Sequence, residues 1–382
     1  MADTALSAAD TQLASSPFRS FVMGGFEGAT HRRPCGTQVD SIGSTRHDIL
    51  AATDYRLLRN AGIWTVRDAL RWHLIDQDGT YDWSSFRPML AAARDIGVQI
   101  IWDLCHYGVP VDLDIWSPDF VDRFRAFAAA AAILVRDEGG EVPPLYCPMN
   151  EISFWAWAGG DVGFLYPSAH GQGSALKAQL VRAALAATQV IQSIDPRARF
   201  IMAEPLIHVG AHTTDPAEIH LHAAGHIEAQ FEACDMLAGR REPELGGSDA
   251  MLDIVGLNFY PENQQFQTGG TIPFGYFMYR PLRELLAEVH ARYARPIFIA
   301  ETGAEGANAA AWLAYVGAEV RAARLAGVPV LGLCLYPVLD YPGWDDQRHC
   351  PCGLLSADPD WQGRAVRADV LAQVQHEAAL LP

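Results

Sequence analysis

The stretch "LYCPMNEIS", residues 145–153, is an apolar run that stops at the polar pair Asn150-Glu151. Asparagine and glutamate are poor strand formers, and an ionised glutamate is seldom left in a core without a partner. The pair therefore indicates the end of a buried strand. A second stretch, "PIFIAETG" at residues 296–303, repeats the pattern, with Glu301 after the apolar run and Gly303 able to turn the backbone sharply. Both glutamates are predicted to lie where buried strands end.

The same kind of apolar run recurs along the whole chain. Further runs lie near residues 21, 63, 99, 200, 253 and 329, which makes eight candidate strands. Ala/Leu-rich stretches closed by Gly or Pro are typical of helices, and they begin near residues 120, 175, 281 and 309. Strands that are apolar on both faces suit a parallel sheet covered by helices. The sequence therefore predicts an α/β fold, a single (β/α)8 TIM barrel with its active site at the C-terminal ends of the strands.

The predicted organisation is one catalytic domain. Residues 1–17 are interpreted as an N-terminal tail and residues 18–382 as the barrel. An irregular insert rich in His, Glu and Gly is predicted around residues 205–250, at the barrel mouth. No Ser/Gly linker or change of composition divides the chain.

Charge and composition exclude several kinds of partner. The chain has 28 Lys and Arg against 45 Asp and Glu, a net charge of -17, so a nucleic acid would be repelled. We expect a cytoplasmic protein without a membrane partner, because no signal peptide and no apolar run of about 20 residues is found. Composition leaves the oligomeric state open. Among the seven cysteines, Cys350 and Cys352 are predicted to form a reduced structural loop rather than a redox or metal site.

The two glutamates indicate a chemical reaction only when they are considered together. In an eight-stranded barrel Glu151 follows strand four and Glu301 ends strand seven, so their carboxyl groups face each other across the mouth. Paired carboxyl groups are what acid-assisted cleavage of a glycosidic bond needs. Taken singly, each would more often be a strand-end charge paired with an arginine such as Arg67.

Six segments in order resemble glycoside hydrolase family 1, the β-glucosidase family of clan A, nearly from end to end. "PMNEIS" resembles the acid/base segment and "IAETG" the nucleophile segment, which implies these roles for Glu151 and Glu301. The other four are "TVRDALRW", "DLCHYGVP", "GLNFY" and "YPVLDYPGW". The resemblance implies a retaining β-glycoside hydrolase that acts on a carbohydrate and needs no cofactor and no metal.

The resemblance also implies substrate contacts. Arg67 would contact the nucleophile, Tyr260 would orient it, and His106 would bind the glycone. Asn150 would hold the 2-hydroxyl of the sugar, where hydrogen bonds strengthen as the oxocarbenium ion forms. The remaining predicted substrate-binding residues are Asn258 in "GLNFY", Tyr336 and Trp344 as sugar platforms, and Trp155 as a stacking surface after the acid/base.

The glycone site departs from the family pattern. The first-strand segment "FVMGGFEGATH" has no Gln for the glycone hydroxyls, which leaves Glu27 or His31 as substitutes. Gly343 replaces the Glu that precedes the Trp of the strand-eight segment, and Tyr107 and Tyr336 replace two Trp residues. We therefore expect a shifted sugar preference, and not a dedicated hydrolase of unmodified glucosides.

Three alternatives remain open. A sugar-binding barrel could retain the aromatic residues and cleave nothing. A metal-dependent hydrolase could use the histidines of the insert, in "HVGAH" and "HLHAAGH", where His222 and His226 are four apart on a predicted helix. Transglycosylation shares the covalent intermediate and differs only in the acceptor.

Overall fold

The computed structural model describes residues 16–381, and at its centre lies a closed barrel of eight parallel strands. Each strand pairs with its neighbours along the chain, and the last closes the barrel against the first, with Val22 opposite Leu333. The predicted (β/α)8 barrel is confirmed. Residues 1–15 of the predicted tail lie outside the described residues. The strands are β1 (Val22–Gly25), β2 (Thr65–Ala69), β3 (Gln99–Asp103), β4 (Leu145–Cys147), β5 (Arg199–Pro205), β6 (Ile254–Asn258), β7 (Ile297–Thr302) and β8 (Val330–Leu335).

Helices surround the barrel, and the four predicted from Ala/Leu-rich stretches are all present. The longer helices are α1 (His47–Asn60), α2 (Arg87–Ile96), α3 (Asp119–Glu138), α4 (Gly173–Ile194), α5 (Ala217–Ala229), α6 (Leu282–Tyr293), α7 (Asn308–Leu325) and α8 (Ala368–Leu380). Short α-helical segments are Ser41–Ser44, Trp72–Ile75, Ile152–Trp155 and Glu232–Leu237; a π-helical turn is Ala156–Asp161. Single 3-10 turns are Trp83–Ser85, Pro243–Leu245, Asp249–Met251 and Pro261–Asn263. No helix within residues 16–381 combines the length and the apolar character needed to cross a membrane.

Four pairs of short strands decorate the barrel. They are Asp76–Gln77 with Thr80–Tyr81, His208–Gly210 with Gln264–Phe266, Tyr341–Pro342 with His349–Cys350, and Leu355–Ala357 with Arg364–Val366. The third pair belongs to the loop after β8, which carries Cys350 and Cys352. Both thiols are free and buried. This agrees with the prediction of a reduced structural loop.

Two apolar cores hold the barrel rigid. Because side chains alternate along a strand, one set points into the barrel, where Met23, Ile101 and Phe298 are fully buried in one cluster. The other set packs against the helices, for example against Phe124 and Phe127 of α3. Each fully buried side chain of this size contributes roughly 1.5–3 kcal/mol. The strand ends that carry the polar residues are therefore fixed in position.

The segment predicted as an irregular insert, residues 205–250, is not irregular throughout. It contains α5, the short helix Glu232–Leu237 and the short strand His208–Gly210. The helix that carries His222 and His226 was itself predicted from the sequence, and α5 covers it. Outside these elements the segment consists mainly of loops and the 3-10 turn Pro243–Leu245.

A buried charge network joins α1 to β2 and to the C-terminal hairpin. The ring nitrogens of His47 lie 2.8 Å from a carboxylate oxygen of Asp54 and 2.8 Å from one of Asp68. Tyr55 donates to Asp68 over 2.5 Å, and Arg364 donates to Asp54 over 2.9 Å. Burial lowers the pKa of His47, but the two carboxylates outweigh it and raise that pKa to about 9. The folded protein therefore contains His47 in the protonated, imidazolium form.

This network predicts a pH-dependent contribution to stability. The pKa of His47 rises from 6.5 to about 9 on folding, so its contribution is fully present below pH 6.5 and is lost as the pH rises through 9. In urea unfolding, wild type should exceed His47→Gln in free energy of unfolding by about 3 kcal/mol more at about pH 6 than at about pH 9.5. Other titrating groups occur in both proteins and cancel. A difference that stays constant with pH would contradict the assignment.

Candidate active site

Polar side chains from several barrel strands meet at the C-terminal rim, as predicted. Arg67 lies on β2, Asn258 ends β6, and Glu301 lies near the end of β7, with Glu301 opposite Asn258 in the sheet register. Asn150 and Glu151 follow β4. The barrel brings these five side chains together, although 234 residues separate Arg67 from Glu301 in the sequence.

Glu301 is a buried carboxylate held by two donors. Arg67 Nη1 donates to its Oε1 over 2.6 Å, and the Tyr260 hydroxyl donates to its Oε2 over 2.7 Å. Both contacts are those that the family resemblance implied. An arginine keeps its charge at any ordinary pH, so Arg67 offers Glu301 a permanent cationic partner.

Glu151 is held by a different pair of donors. The Tyr107 hydroxyl donates to its Oε2 over 2.6 Å, and the Asn258 amide donates to its Oε1 over 2.8 Å. Its backbone lies in the left-handed region at φ 43°, and its N–H donates to the Ala203 carbonyl of β5 over 2.9 Å. A glutamate in this region costs of order 1–3 kcal/mol, which the surrounding contacts must offset. Such strain is concentrated at functional sites.

Glu151 has a raised affinity for a proton. Burial and the negative charge of Glu301 raise the pKa of Glu151 to about 8, against the opposing effect of its two hydrogen-bond donors. Burial and the nearby carboxylates also raise the pKa of Tyr107 and of Tyr260 well above the usual range, so both hydroxyls remain donors. At neutral pH Glu151 is therefore mostly protonated.

Asn150 and Arg67 connect the two halves of the site. Arg67 Nη2 donates to Asn150 Oδ1 over 2.5 Å, and since a guanidinium only donates, this contact fixes the orientation of the amide. Asn150 Nδ2 then faces His106 Nε2 at 3.0 Å and the Tyr107 hydroxyl at 2.9 Å. The second ring nitrogen of His106 lies 3.2 Å from the Asp103 carboxylate. Glu301 and Glu151 are thus linked through Arg67, Asn150 and Tyr107.

The other residues predicted for the glycone lie around His106. Glu27 Oε1 is 3.8 Å from His106 Nε2, and the Tyr336 ring lies parallel to the His106 ring with centroids 6.3 Å apart. His31 is buried, and neither of its ring nitrogens has a hydrogen-bond partner in the described part of the chain. Burial, with the charge of Arg33, lowers the pKa of His31 to about 4, so the ring is neutral. Burial raises the pKa of Glu27 to about 7.

Trp344 belongs to an aromatic wall next to Glu151. Its ring packs edge-on against His31, with centroids 4.8 Å apart, and against Tyr107 at 6.0 Å. Phe154 lies 6.4 Å from Trp344 and 5.9 Å from Trp157 by ring centroids. The indole nitrogen of Trp344 is buried and has no partner within residues 16–381. The wall therefore combines an apolar face with a free hydrogen-bond donor.

Trp155 does not fit the stacking role predicted for it. Its side chain is fully buried, and its indole N–H donates to the Tyr166 carbonyl over 2.8 Å. Ile152–Trp155 is a helical turn, in which successive side chains point about 100° apart, so Trp155 turns into the core. Trp157, at 52% exposure, faces outward instead, and the partly buried Phe154 lies 5.9 Å from it by ring centroids.

The structure adds three residues to the predicted set. Tyr107 contacts Glu151, and Asp103 contacts Arg67 at 2.7 Å. Both lie in the segment "DLCHYGVP" at a strand end, and this position is the sequence feature from which they could have been predicted as site residues. Glu204 of β5 is buried, accepts from the Ser153 N–H over 3.0 Å and has a pKa raised to about 7 by burial.

The histidines of the insert do not assemble a metal site. His222 and His226 lie on α5, as predicted, and both are exposed there. Across residues 16–381, no three His, Cys, Asp or Glu side chains converge in a way that could hold a metal ion. The insert therefore offers no support for the metal-dependent alternative.

Comparisons with solved structures identify the fold of this chain. A family 1 β-glucosidase from Thermotoga maritima superposes with a TM-score of 0.75 at 15% identity, over 94% of this chain and 96% of that chain. A β-glucosidase from the same organism in complex with glucoimidazole has a TM-score of 0.76 at 15% identity, over 94% and 98%. A mutant hyperthermophilic β-glucosidase has a TM-score of 0.73 at 16% identity, over 93% and 99%. No protein-family model and no curated protein matches the sequence. The chain therefore has the complete (β/α)8 fold found in family 1 β-glucosidases.

Proposed function

We propose that this protein is a retaining β-glycoside hydrolase in which Glu301 is the nucleophile and Glu151 the general acid/base. The observation that carries the proposal is the contrast between two carboxyl groups in one site. Glu301 is paired with the cation Arg67 and accepts a hydrogen bond from Tyr260. The pKa of Glu151 is raised to about 8 by burial and by the charge of Glu301. Such separation of two carboxyl groups is how acid and nucleophile are assigned in this chemistry.

In the first step, Glu301 attacks the anomeric carbon and the bond to the leaving oxygen breaks. Glu151 gives its proton to that oxygen as the bond breaks, and a glycosyl ester on Glu301 forms. Asn258 can hydrogen-bond to Glu151 in both the ionised and the protonated form. As placed, its amide nitrogen donates to the carboxylate, and its Oδ1 has no partner among the described residues. Turned over, Oδ1 would accept the acid proton.

In the second step, Glu151 is a carboxylate and removes a proton from water. The water attacks the anomeric carbon from the side that the leaving group occupied, and Glu301 departs. Loss of the negative charge on Glu301 in the ester lowers the pKa of Glu151, because that charge is one cause of its increase. The same residue can therefore serve as acid and then as base.

The ion pair of Glu301 with Arg67 does not by itself distinguish a catalytic site from an ordinary strand-end charge. The support comes from the second carboxyl group and its separate donors, Tyr107 and Asn258. A sugar-binding barrel needs aromatic surface but not a strained, buried glutamate of raised pKa. Hydrolysis is therefore favoured over binding alone.

Product stereochemistry tests the mechanism. Proton NMR of the first products from a nitrophenyl β-glycoside should show the β-anomer before mutarotation, because two displacements retain the configuration. Added methanol should give the methyl β-glycoside, because the ester on Glu301 is open to any acceptor. Early appearance of the α-anomer would exclude the ester intermediate and would require a carboxyl separation of roughly 6.5–9.5 Å.

A further inference from the structure

Glu27 is a buried carboxyl group without a cation to neutralise it. It follows β1, its side chain is 7% exposed, and it accepts a hydrogen bond from the Ala29 N–H over 2.9 Å. The only ion pair that it makes within residues 16–381 is the 3.8 Å contact with His106 Nε2. A buried carboxylate is costly unless it is paired and hydrogen-bonded. The charge of Glu27 therefore depends on whether His106 is a cation.

The amide network keeps His106 neutral. Asn150 Oδ1 accepts from Arg67, so Asn150 Nδ2 must donate to His106 Nε2, which is left without a proton. Burial lowers the pKa of His106, and Asp103 and Glu27 raise it by more. A proton on Nε2 would nevertheless face the Asn150 N–H2 group and break that hydrogen bond. The neutral ring, with its proton on Nδ1 toward Asp103, is the form that the contacts hold.

The pocket around Glu27 has more negative than positive charge. Arg67 is already bonded to Asp103 and to Glu301. The charge of Arg33 also acts in this region, because it helps to lower the pKa of His31, and two of its guanidinium nitrogens have no partner within residues 16–381. The carboxyl groups of Glu27, Glu301 and Asp103 still outnumber these two arginines. Burial and the negative charge of Glu301 both raise the pKa of Glu27. His31 is neutral because burial lowers its pKa to about 4.

Free hydrogen-bonding groups on His31 and Trp344 are available to a polar ligand at this end of the site. Both ring nitrogens of His31 and the indole nitrogen of Trp344 are buried without a partner among the residues described. A neutral imidazole offers one donor and one acceptor, and an indole offers one donor. Sugar hydroxyls can satisfy all three, but they cannot neutralise Glu27. A phosphate or carboxylate on the sugar would be repelled by Glu27, Glu301 and Asp103.

We propose that the site prefers β-glycosides whose glycone carries a protonated amine, and that Glu27 is the carboxylate that binds this amine. The proposal rests on the proposed hydrolase function. The ammonium group would pair with Glu27, and the remaining hydroxyls would bind His31 and Trp344. A charged hydrogen bond of this kind discriminates by about 10- to 100-fold between partners that do and do not make it. Glu27 is then a specificity-determining residue.

The test measures a ratio of kcat/KM values. The substrates are 4-nitrophenyl β-D-glucopyranoside and its analogues with an amine at carbon 2, 3, 4 or 6. For wild type, at least one amino analogue should exceed the glucoside in kcat/KM by about 10-fold or more. Glu27→Gln removes the charge and keeps the shape, so it should lower this ratio by about 10-fold or more. Glu244→Gln removes a charge from an exposed turn, Pro243–Leu245, before β6 and should leave the ratio unchanged.

A second measurement uses wild type alone and does not depend on how the variant folds. Calorimetric binding of free glucosamine and the other free aminodeoxyglucoses should show at least one amino sugar that binds more tightly than glucose. The proposal is overturned if glucose and its glycoside outperform every amino analogue, or if Glu27→Gln leaves the ratio unchanged. Preference for a 6-phosphate or a glucuronide would overturn it too and would point to Arg33. If no glycoside is cleaved, the hydrolase function fails, and the binding measurement still decides the role of Glu27.

Discussion

Glu301→Gly should lower kcat for a nitrophenyl β-glycoside by roughly 10⁴-fold or more, because the group that forms the covalent bond is removed. The loss should exceed that of any substitution at the glycone contacts. Arg67 and Tyr260 both donate to Glu301, so removing the carboxylate also leaves Arg67 with one charge partner fewer. The measurement is kcat by release of nitrophenolate, with thermal unfolding to show that the variant is folded.

Azide provides the specific control for this variant. The space left by Glu301 opens to the face of the sugar that the carboxylate would attack, so azide should enter and form an α-glycosyl azide, of inverted configuration. Glu244→Gly, on the exposed turn before β6, should keep the activity of wild type and yield no azide product. Wild-type-like turnover by Glu301→Gly would falsify the nucleophile assignment.

Glu151→Gln should show a loss that depends on the leaving group. For an alkyl β-glycoside, which needs protonation, kcat/KM should fall by roughly 10²–10⁴-fold, the contribution typical of general acid catalysis. For a dinitrophenyl β-glycoside the first step should change little, because that leaving group departs without a proton. Formation of the ester on Glu301 would then outrun its hydrolysis, and a burst of dinitrophenolate should precede a slow steady state.

The pH dependence gives a second readout for the same residue. Glu151 must be protonated to act as acid, and its pKa is raised to about 8, so kcat/KM of wild type should fall as the pH rises through about 8. In Glu151→Gln this fall in kcat/KM at high pH should be absent. Azide should now give a β-glycosyl azide, since it attacks the ester on Glu301 from the open face. A loss that is the same for every leaving group would show that another group supplies the proton. So would a variant that keeps the fall in kcat/KM at high pH.

Local sequence determined the barrel and the two places where a glutamate follows a buried strand run. Each strand is a short run that is apolar on both faces, and only a buried parallel strand accounts for such runs between amphipathic helices. A glutamate directly after such a run must lie at the rim, because the run itself has no room for a charge. Strand order then places Glu151 and Glu301 in one mouth. These inferences need only the period of the pattern and the chain order.

The tertiary structure alone decided which side chains meet. Trp155 is buried while Trp157 is exposed, because each residue along a helix rotates the side-chain direction by about 100°. Tyr107 reaches Glu151 from β3, and Asn258 reaches it from β6, across 44 and 107 residues of sequence. Contacts of this kind depend on the register of neighbouring strands and on rotamers, to within an ångström. Neither composition nor periodicity contains that information. For the same reason, the lack of a neutralising cation beside Glu27 can be recognised only in the tertiary structure.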